Sequence, residues 1–414
     1  MGKSKYNILS LDPMYSSLHE KIAKLVAKKK YAVTSCWAKK VYLPTFKFTL
    51  ATSIIKNYRG EVDPLVLEKI KALPTYHHAY VKKVEKRELT ADELSYMAKF
   101  YLGLKVFIQE KKIELIIVHN DTRWYHAIAI LLCKELDIKY LVTEQGLIRP
   151  YTTVIDNQGV NANANMELIV KGLELKEKLN FTPKYTHDSV LSMFFFFVFI
   201  GIFTLERTIK SASLLRYMHN NYRLDKYKQR FLNRVIKKNE VKERREVDNK
   251  SALLLLQLEH DSQFLMYSDY QNNQEVINRT QKKCSQLGLT LAIKKHPLDQ
   301  SSYKLDNYSY LVGGDVILLA RQAKLVIAVN SSAILSVLKT TTPLFIIGES
   351  IYEYKNMAEY TCIENIILPT RQSYEARCDY IYKIKENYLL KGAGYSFNGT
   401  LLSHKLISLL DGNR

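Results

Sequence analysis

A chain of 414 residues with 47% hydrophobic content is long enough for two domains, each with its own core. Its formal charge of +20, from 61 Lys and Arg against 41 Asp and Glu, points to a polyanionic partner: nucleic acid, an anionic membrane surface or a phosphorylated substrate. The five cysteines, Cys36, Cys133, Cys284, Cys362 and Cys378, form no CxxC pair and have no His partners at zinc-ligand spacing, which excludes a zinc module and fits a reduced cytoplasmic compartment.

The first residues, "MGKSKYNILSLDP", lack the apolar core of a secretory signal, so the chain is expected to stay inside the cell. Strand-like "YNILSLD" is followed by a helical pattern through "SLHEKIAKLVAKKK" and a strand "YAVTSCW". Further on come "IELIIVHND", helical "YHAIAILLCKELD" and "KYLVTEQG". Strands alternating with helices of this length predict a parallel, doubly wound sheet. Val190 to Leu205, "VLSMFFFFVFIGIFTL", has 16 residues and no charge, where a span needs about 20, so it reads as an interfacial or buried core helix. From Glu206 to Lys250 there are 14 Lys or Arg against 6 Asp or Glu, with Tyr217, Tyr222 and Tyr227 among them. Apolar insertion beside basic and aromatic residues suits an anionic leaflet; a core helix followed by a solvated basic connector is the alternative.

The second half repeats the plan: strand "ALLLLQLEHD", helix "NNQEVINRTQKKCSQLG", strands "LTLAIKKHP" and "KLVIAVNSS", helix "AILSVLKTT" and strand "TPLFIIGES". The expected fold is α/β, with two Rossmann-like domains and a cleft between them, as in GT-B glycosyltransferases. In that architecture the donor nucleotide sits on the second domain and the acceptor on the first. The predicted boundaries are 1–185 for an acceptor domain, 186–250 for a membrane-associating connector, 251–385 for a nucleotide-sugar domain and 386–414 for a C-terminal helical segment. Neither G-x-G-x-x-G nor the P-loop pattern occurs, which argues against nicotinamide and P-loop ATP chemistry.

Four strand ends carry candidate chemistry. "KKHPLD" puts Lys294, Lys295 and His296 where open α/β sheets bind ligands, although solvated loop charges are the simpler reading. In "AVNSSAILSVL", Asn330, Ser331 and Ser332 precede a helix, whose capping or phosphate-binding end the two hydroxyls could serve. These two segments are expected at neighbouring strand ends. "LEHDSQF" offers Glu259, His260 and Asp261, with capping as the plain role of the aspartate. "TEQGLIRPY" places Glu144 before Gly146, which permits close backbone approach, with Arg149 and Tyr151 following.

Taken in order, "TEQGLIRPY", "GVNANANM", "LLLQLEHDSQF", "KKHPLD" and "AVNSSAILSVLKTTTPLFIIGESIY" resemble the motifs of the bacterial capsular polysaccharide β-Kdo transferases of the KpsS (LipB) type, over roughly Ile113 to Glu359. The resemblance implies a cytoplasmic-face enzyme that moves Kdo from CMP-Kdo to phosphatidylglycerol or its lyso form, starting the poly-Kdo linker of a capsule. It implies Glu144 as general acid/base and Asp261 as nucleophile. Lys294, His296, Pro297, Asn330, Ser331 and Ser332 are implied around CMP; from their place in the "TEQGLIRPY" loop, and not from the resemblance, Gly146 and Arg149 are expected to bind substrate. Gln145 and Leu147 depart from the family's E-E-G-Y, and Glu259 and His260 from its H-N-D-S.

Retention at the anomeric carbon requires two displacements, hence a carboxylate nucleophile and a second carboxyl that alternates as acid and base. Lysine, imidazole and a helix terminus can stabilise a leaving phosphate without a metal, and no DxD-like cluster is present, so neither metal nor cofactor is expected. Expected partners are the two substrates, an anionic membrane, a second Kdo transferase and the capsule export machinery, with no nucleic acid. The rival readings are another nucleotide-sugar transferase of capsule or lipopolysaccharide synthesis, and a non-catalytic basic protein that binds membranes or nucleic acid.

Overall fold

The computed structural model describes residues 5–172, 184–218, 246–368 and 372–411. The chain divides into two units, and both are Rossmann-like. Unit 1 comprises 1–160, 171–230 and 388–414, and unit 2 comprises 161–170 and 231–387.

In unit 1, strands β1 (Tyr6–Leu11), β2 (Ala27–Thr34), β3 (Lys47–Leu50), β4 (Leu115–His119) and β5 (Lys139–Gln145) run parallel in the order β3-β2-β1-β4-β5. All of β4 is buried, the continuous apolar run expected of a strand covered on both faces. β6 (Thr152–Asp156) closes a hairpin antiparallel to β5. Strands Leu390–Ala393 and Ser396–Phe397 then extend the same sheet to eight. The predicted C-terminal helical segment therefore begins with two strands of the first sheet, and its helix, Gly399–Asp411, belongs to unit 1. The first helix, Leu18–Val26, is shorter than its pattern predicted: Ala27 is already extended, and Lys29 and Lys30 pair with Asn7 and Ile8 of β1. Pairing with β1 overrides the helical preference of "AKKK".

Unit 2 is a six-stranded parallel sheet of β7 (Ser251–Leu255), β8 (Thr290–Lys294), β9 (Ser309–Leu311), β10 (Leu325–Ala328), β11 (Leu344–Ile346) and β12 (Glu359–Tyr360), ordered β12-β11-β10-β7-β8-β9. The helix Asn273–Leu287 stops at Gly288, whose φ of 66° is a left-handed C-cap that glycine adopts without strain. The first strand of each unit lies inside its sheet, with chain order reversing at its side. Each sheet so gains a switch point, β1/β4 in unit 1 and β7/β10 in unit 2, where α/β folds open a crevice beyond the strand ends.

The uncharged run is part of a 21-residue helix, Ser189–Ile209, long and apolar enough to cross a membrane, which corrects the shorter length read from sequence. One face packs on unit 1, where Phe199, Ile200 and Phe203 join Cys36, Ala38 and Tyr42 in one cluster. Glu206, also buried, accepts the N–H groups of Trp37 (2.9 Å) and Ala38 (3.2 Å). The opposite face is exposed at Val190, Phe194, Phe197, Leu205 and Ile209. Most of the basic stretch that follows, 219–245, lies outside the described residues, including Tyr222 and Tyr227.

Candidate active site at the strand ends of each unit

In unit 1, the switch point collects Asp12 beyond β1, Ser35 beyond β2, His119 at the end of β4 and Glu144 near the end of β5. Asp12 is fully buried; Ser35 donates to it from both its backbone N–H (2.8 Å) and its hydroxyl, and the Tyr125 hydroxyl donates at 2.6 Å. Burial pushes this carboxyl up, but Lys39, His126 and the two hydroxyls outweigh it, so Asp12 titrates below its ordinary value. Lys39 is buried with its ammonium 4.6 Å from the Tyr15 ring centre and 5.0 Å from that of Phe199, a cation–π arrangement that runs from the strand ends to the Phe-rich helix.

Three buried histidines surround this group. His19 bridges the Ser10 hydroxyl (2.7 Å) and the Thr143 hydroxyl (3.0 Å), His119 Nδ1 meets the Thr143 carbonyl (2.9 Å), and His126 Nδ1 meets the Asn120 carbonyl (2.9 Å). Desolvation drives all three below the ordinary imidazole range, His126 to about 3, reinforced by Lys39 at His19 and His119 and by Arg123 at His119 and His126. Glu144 accepts from the Asn120 amide at Oε2 (2.9 Å) and from the Gln145 N–H at Oε1 (2.8 Å), and His119 Nε2 stands 3.9 Å from Oε1.

Gly146 does allow a close backbone approach, but to its own hairpin. A Cβ there would lie 2.1 Å from Thr152 Oγ1 and 2.6 Å from the Thr152 carbonyl carbon, because Gly146 N–H bonds to the Thr152 carbonyl at 2.9 Å. Arg149 is exposed in the turn between β5 and β6.

In unit 2, β7 ends at Leu255, so Asp261 lies in the loop beyond it and not on the strand. It caps the helix Ser262–Tyr267, accepting from Gln263 N–H at 2.9 Å. Glu259 accepts the Asn273 N–H at 2.7 Å. Lys294 ends β8, and in the turn after it His296 Nδ1 accepts the Leu298 N–H at 3.1 Å, which leaves the ring proton on Nε2. Tyr303 holds this turn in place: its hydroxyl donates to Asp299 (2.7 Å) and accepts from Asn273 (3.1 Å), and Asn273 also donates to the Gln257 carbonyl beyond β7.

Beyond β10, Asn330 donates to the Gln263 carbonyl at 2.7 Å, tying its segment to the helix that Asp261 caps. Ser331 is buried and its hydroxyl accepts the Ala333 N–H at 3.3 Å, while Ser332 is exposed. The predicted helix after them is a single turn, Ile334–Val337, whose cap is Ala333, so the two hydroxyls do not cap a helix of useful dipole. The lysine–histidine and serine segments are also not on adjacent strands: β7 lies between β8 and β10, setting them roughly 10 Å apart at one edge of the sheet. Lys294, His296, Asp261, Asn330, Ser331 and Ser332 thus all lie at or beyond the C-terminal ends of β7, β8 and β10, with Asn330 bonded to the helix that Asp261 caps.

Residues 114–383 match the family model described as "Capsule polysaccharide biosynthesis protein". The chain belongs to the capsule polysaccharide biosynthesis family. A curated relative, the capsule polysaccharide export protein KpsS of Escherichia coli, is 24% identical over 280 residues, which span 59% of this chain and 69% of the relative. Among solved structures, the β-Kdo 2,7 transferase of Thermosulfurimonas dismutans KpsC aligns over 91% of this chain and 89% of its own, with a TM-score of 0.40 and 13% identity. The UDP-GlcNAc 2-epimerase of Methanocaldococcus jannaschii aligns over 98% and 100%, with a TM-score of 0.30 and 11% identity. The family match begins inside unit 1, just before β4, and so includes Glu144 and every unit 2 segment above while leaving out Asp12, His19 and Lys39.

Those three residues, with His119, Asn120 and His126, were missed by sequence reasoning. The available signal was the polar ending of the strands "YNILSLD" and "IELIIVHND", which places an aspartate and a His-Asn-Asp run beyond two buried strands. Lys39 and His19 carry no such mark, because they reach the group from a 3-10 turn and a helix.

Proposed function

We propose that this protein is a retaining β-Kdo glycosyltransferase that moves Kdo from CMP-Kdo to a hydroxyl of a phosphatidylglycerol-type lipid on the inner face of the cytoplasmic membrane. The observation that carries the reading is the capsule family match over a segment whose unit 2 strand ends carry a lysine, an imidazole N–H donor, serine hydroxyls and the carboxylate Asp261.

In the proposed reaction the Asp261 carboxylate attacks the anomeric carbon as the bond to the CMP phosphate breaks, giving an acylal-type Kdo ester and CMP. The acceptor hydroxyl then attacks the same carbon, Asp261 departs as carboxylate, and Glu144 takes the hydroxyl proton. Two inversions return the starting configuration. The Lys294 ammonium offsets the charge of the leaving phosphate and the His296 Nε2–H donates to it, at the step where negative charge grows on CMP. The Phe-rich helix lies along the membrane interface with its exposed face in the acyl region. Its packed face and the buried Glu206 carboxylate favour this placement over a span.

The test is intact mass of Glu144→Gln after incubation with CMP-Kdo, and of the lipid after wild type acts on CMP-Kdo and phosphatidylglycerol. The expected outcome is one added Kdo mapped to Asp261 in the variant and a Kdo-bearing lipid from the wild type. Transfer from UDP sugars instead of CMP-Kdo identifies a different nucleotide-sugar transferase. Salt-sensitive lipid or nucleic-acid binding without any transfer identifies a non-catalytic protein.

A further inference from the structure

The Glu144 carboxyl is held differently at its two oxygens. Asn120 Nδ2 and Gln145 N–H both donate to it, contacts that favour the carboxylate. The third neighbour has the opposite preference. His119 Nδ1 is 2.9 Å from the Thr143 carbonyl oxygen, which can only accept, so Nδ1 carries the ring proton and Nε2 presents a lone pair 3.9 Å from Glu144 Oε1. A lone pair gives nothing to a carboxylate but accepts a hydrogen bond from a carboxylic acid.

Around His119 stand Arg123 and Lys39 as cations, Asp12 as an anion, and His19 and His126. Desolvation of the buried ring, with Arg123 and Lys39, holds His119 well below the ordinary imidazole range against the opposing pull of Asp12, so the ring is neutral at working pH. Asn120 is fixed in turn: its φ is 67°, its carbonyl receives His126 Nδ1–H, and its side-chain oxygen accepts the Thr122 N–H at 2.8 Å.

We propose that His119 is a positioning residue that receives the Glu144 Oε1–H after Glu144 has taken the proton of the acceptor hydroxyl. The proton moves from the hydroxyl oxygen to Glu144, and the new O–H turns toward His119 Nε2, the 3.9 Å separation closing to hydrogen-bond distance without the proton leaving Glu144. The lone pair gives the protonated carboxyl a hydrogen-bond partner that the carboxylate cannot use. This rests on Glu144 being the acid/base of the proposed reaction.

Two measurements on the full chain test it. In histidine-labelled protein, nitrogen NMR is expected to show His119 neutral and unprotonated at Nε2 from pH 8 to 5.5, with its signal assigned by loss in His119→Asn. That signal is expected to move in Glu144→Gln, whose amide can donate to the lone pair. An imidazolium, an Nε2–H tautomer, or no response to Glu144→Gln overturns the proposal even if CMP-Kdo is not the donor.

In turnover of CMP-Kdo with lipid acceptor, His119→Asn keeps a donor for the Thr143 carbonyl and removes the lone pair. It is expected to lower kcat about tenfold at unchanged KM and to move the acidic limb of the kcat profile at least half a pH unit lower. His119→Gln, with an amide oxygen near the Nε2 position, is expected to recover part of both. An unshifted profile in an active His119→Asn enzyme also overturns the proposal, whereas no transfer by wild type defeats the donor assignment alone.

Discussion

Gly146 shows how a residue read for substrate approach can have a structural reason. With a Cβ 2.1 Å from Thr152 Oγ1, Gly146→Ala forces β5 and β6 apart, at a cost of about 1–3 kcal/mol. Urea unfolding checks this, and a midpoint equal to wild type returns the glycine to a ligand role. The buried histidines set a pH dependence at the same scale. Their folded values lie below the unfolded value of about 6.5, so the unfolded chain binds more protons below that pH. Stability is therefore level above about pH 6.5 and falls as the pH drops below it, by up to about 1.4 kcal/mol per pH unit for each ring, continuing toward about pH 3 for His126. Asp12, depressed in the fold, adds a loss in the same direction at lower pH, through the carboxylate range. Urea midpoints from pH 8 to 5 are expected to show the break near 6.5 and a shallower decline in His126→Asn. A curve flat across that range contradicts the buried neutral assignment.

The Phe-rich helix combines two faces with separable energetics. Phe199 is fully buried against Tyr42 and Tyr15, whereas Phe197 is 65% exposed. Phe199→Ala leaves a cavity and removes a ring from beside the Lys39 ammonium, so a loss of about 3–5 kcal/mol is expected. Phe197→Ser is expected to change stability by less than about 0.5 kcal/mol. Thermal unfolding of both variants without lipid separates the faces, and equal losses contradict the packing described. Glu206 explains why the helix stays docked at its C-terminal end: a buried carboxylate that accepts two backbone N–H groups and the Ser213 hydroxyl at 2.7 Å cannot leave its site without losing all three.

At the scale of the whole molecule, the proposed membrane association uses a net charge of +20 and the exposed apolar face of the Ser189–Ile209 helix. Each basic residue near an anionic surface contributes about 1 kcal/mol, and the attraction weakens within a Debye length of about 8 Å at physiological salt. Wild type is expected to float with anionic vesicles more than with neutral ones, and less at high salt. A variant carrying serine at Phe194 to Phe197 is expected to remain in the unbound fraction with both. Equal recovery of the two proteins with anionic vesicles removes the helix from the membrane assignment.

Sequence alone determined the features that depend on neighbours in the chain. Apolar periodicity marked β1, β4, β5, β7, β8 and β10, and the polar residues that end these runs marked Glu144, Lys294, His296, Asn330 and Ser331 as crevice-edge groups. Tertiary structure decided whatever depends on pairing between distant segments. That β7 separates β8 from β10 follows from strand order, which periodicity does not encode. The return of Leu390–Ala393 to β6 is a non-local pairing of the same kind. The burial of Asp12, Lys39 and three histidines in one group depends on two helices, a 3-10 turn and two strand ends meeting at a single switch point. Only there do desolvation and mutual charge fix which of them is ionised.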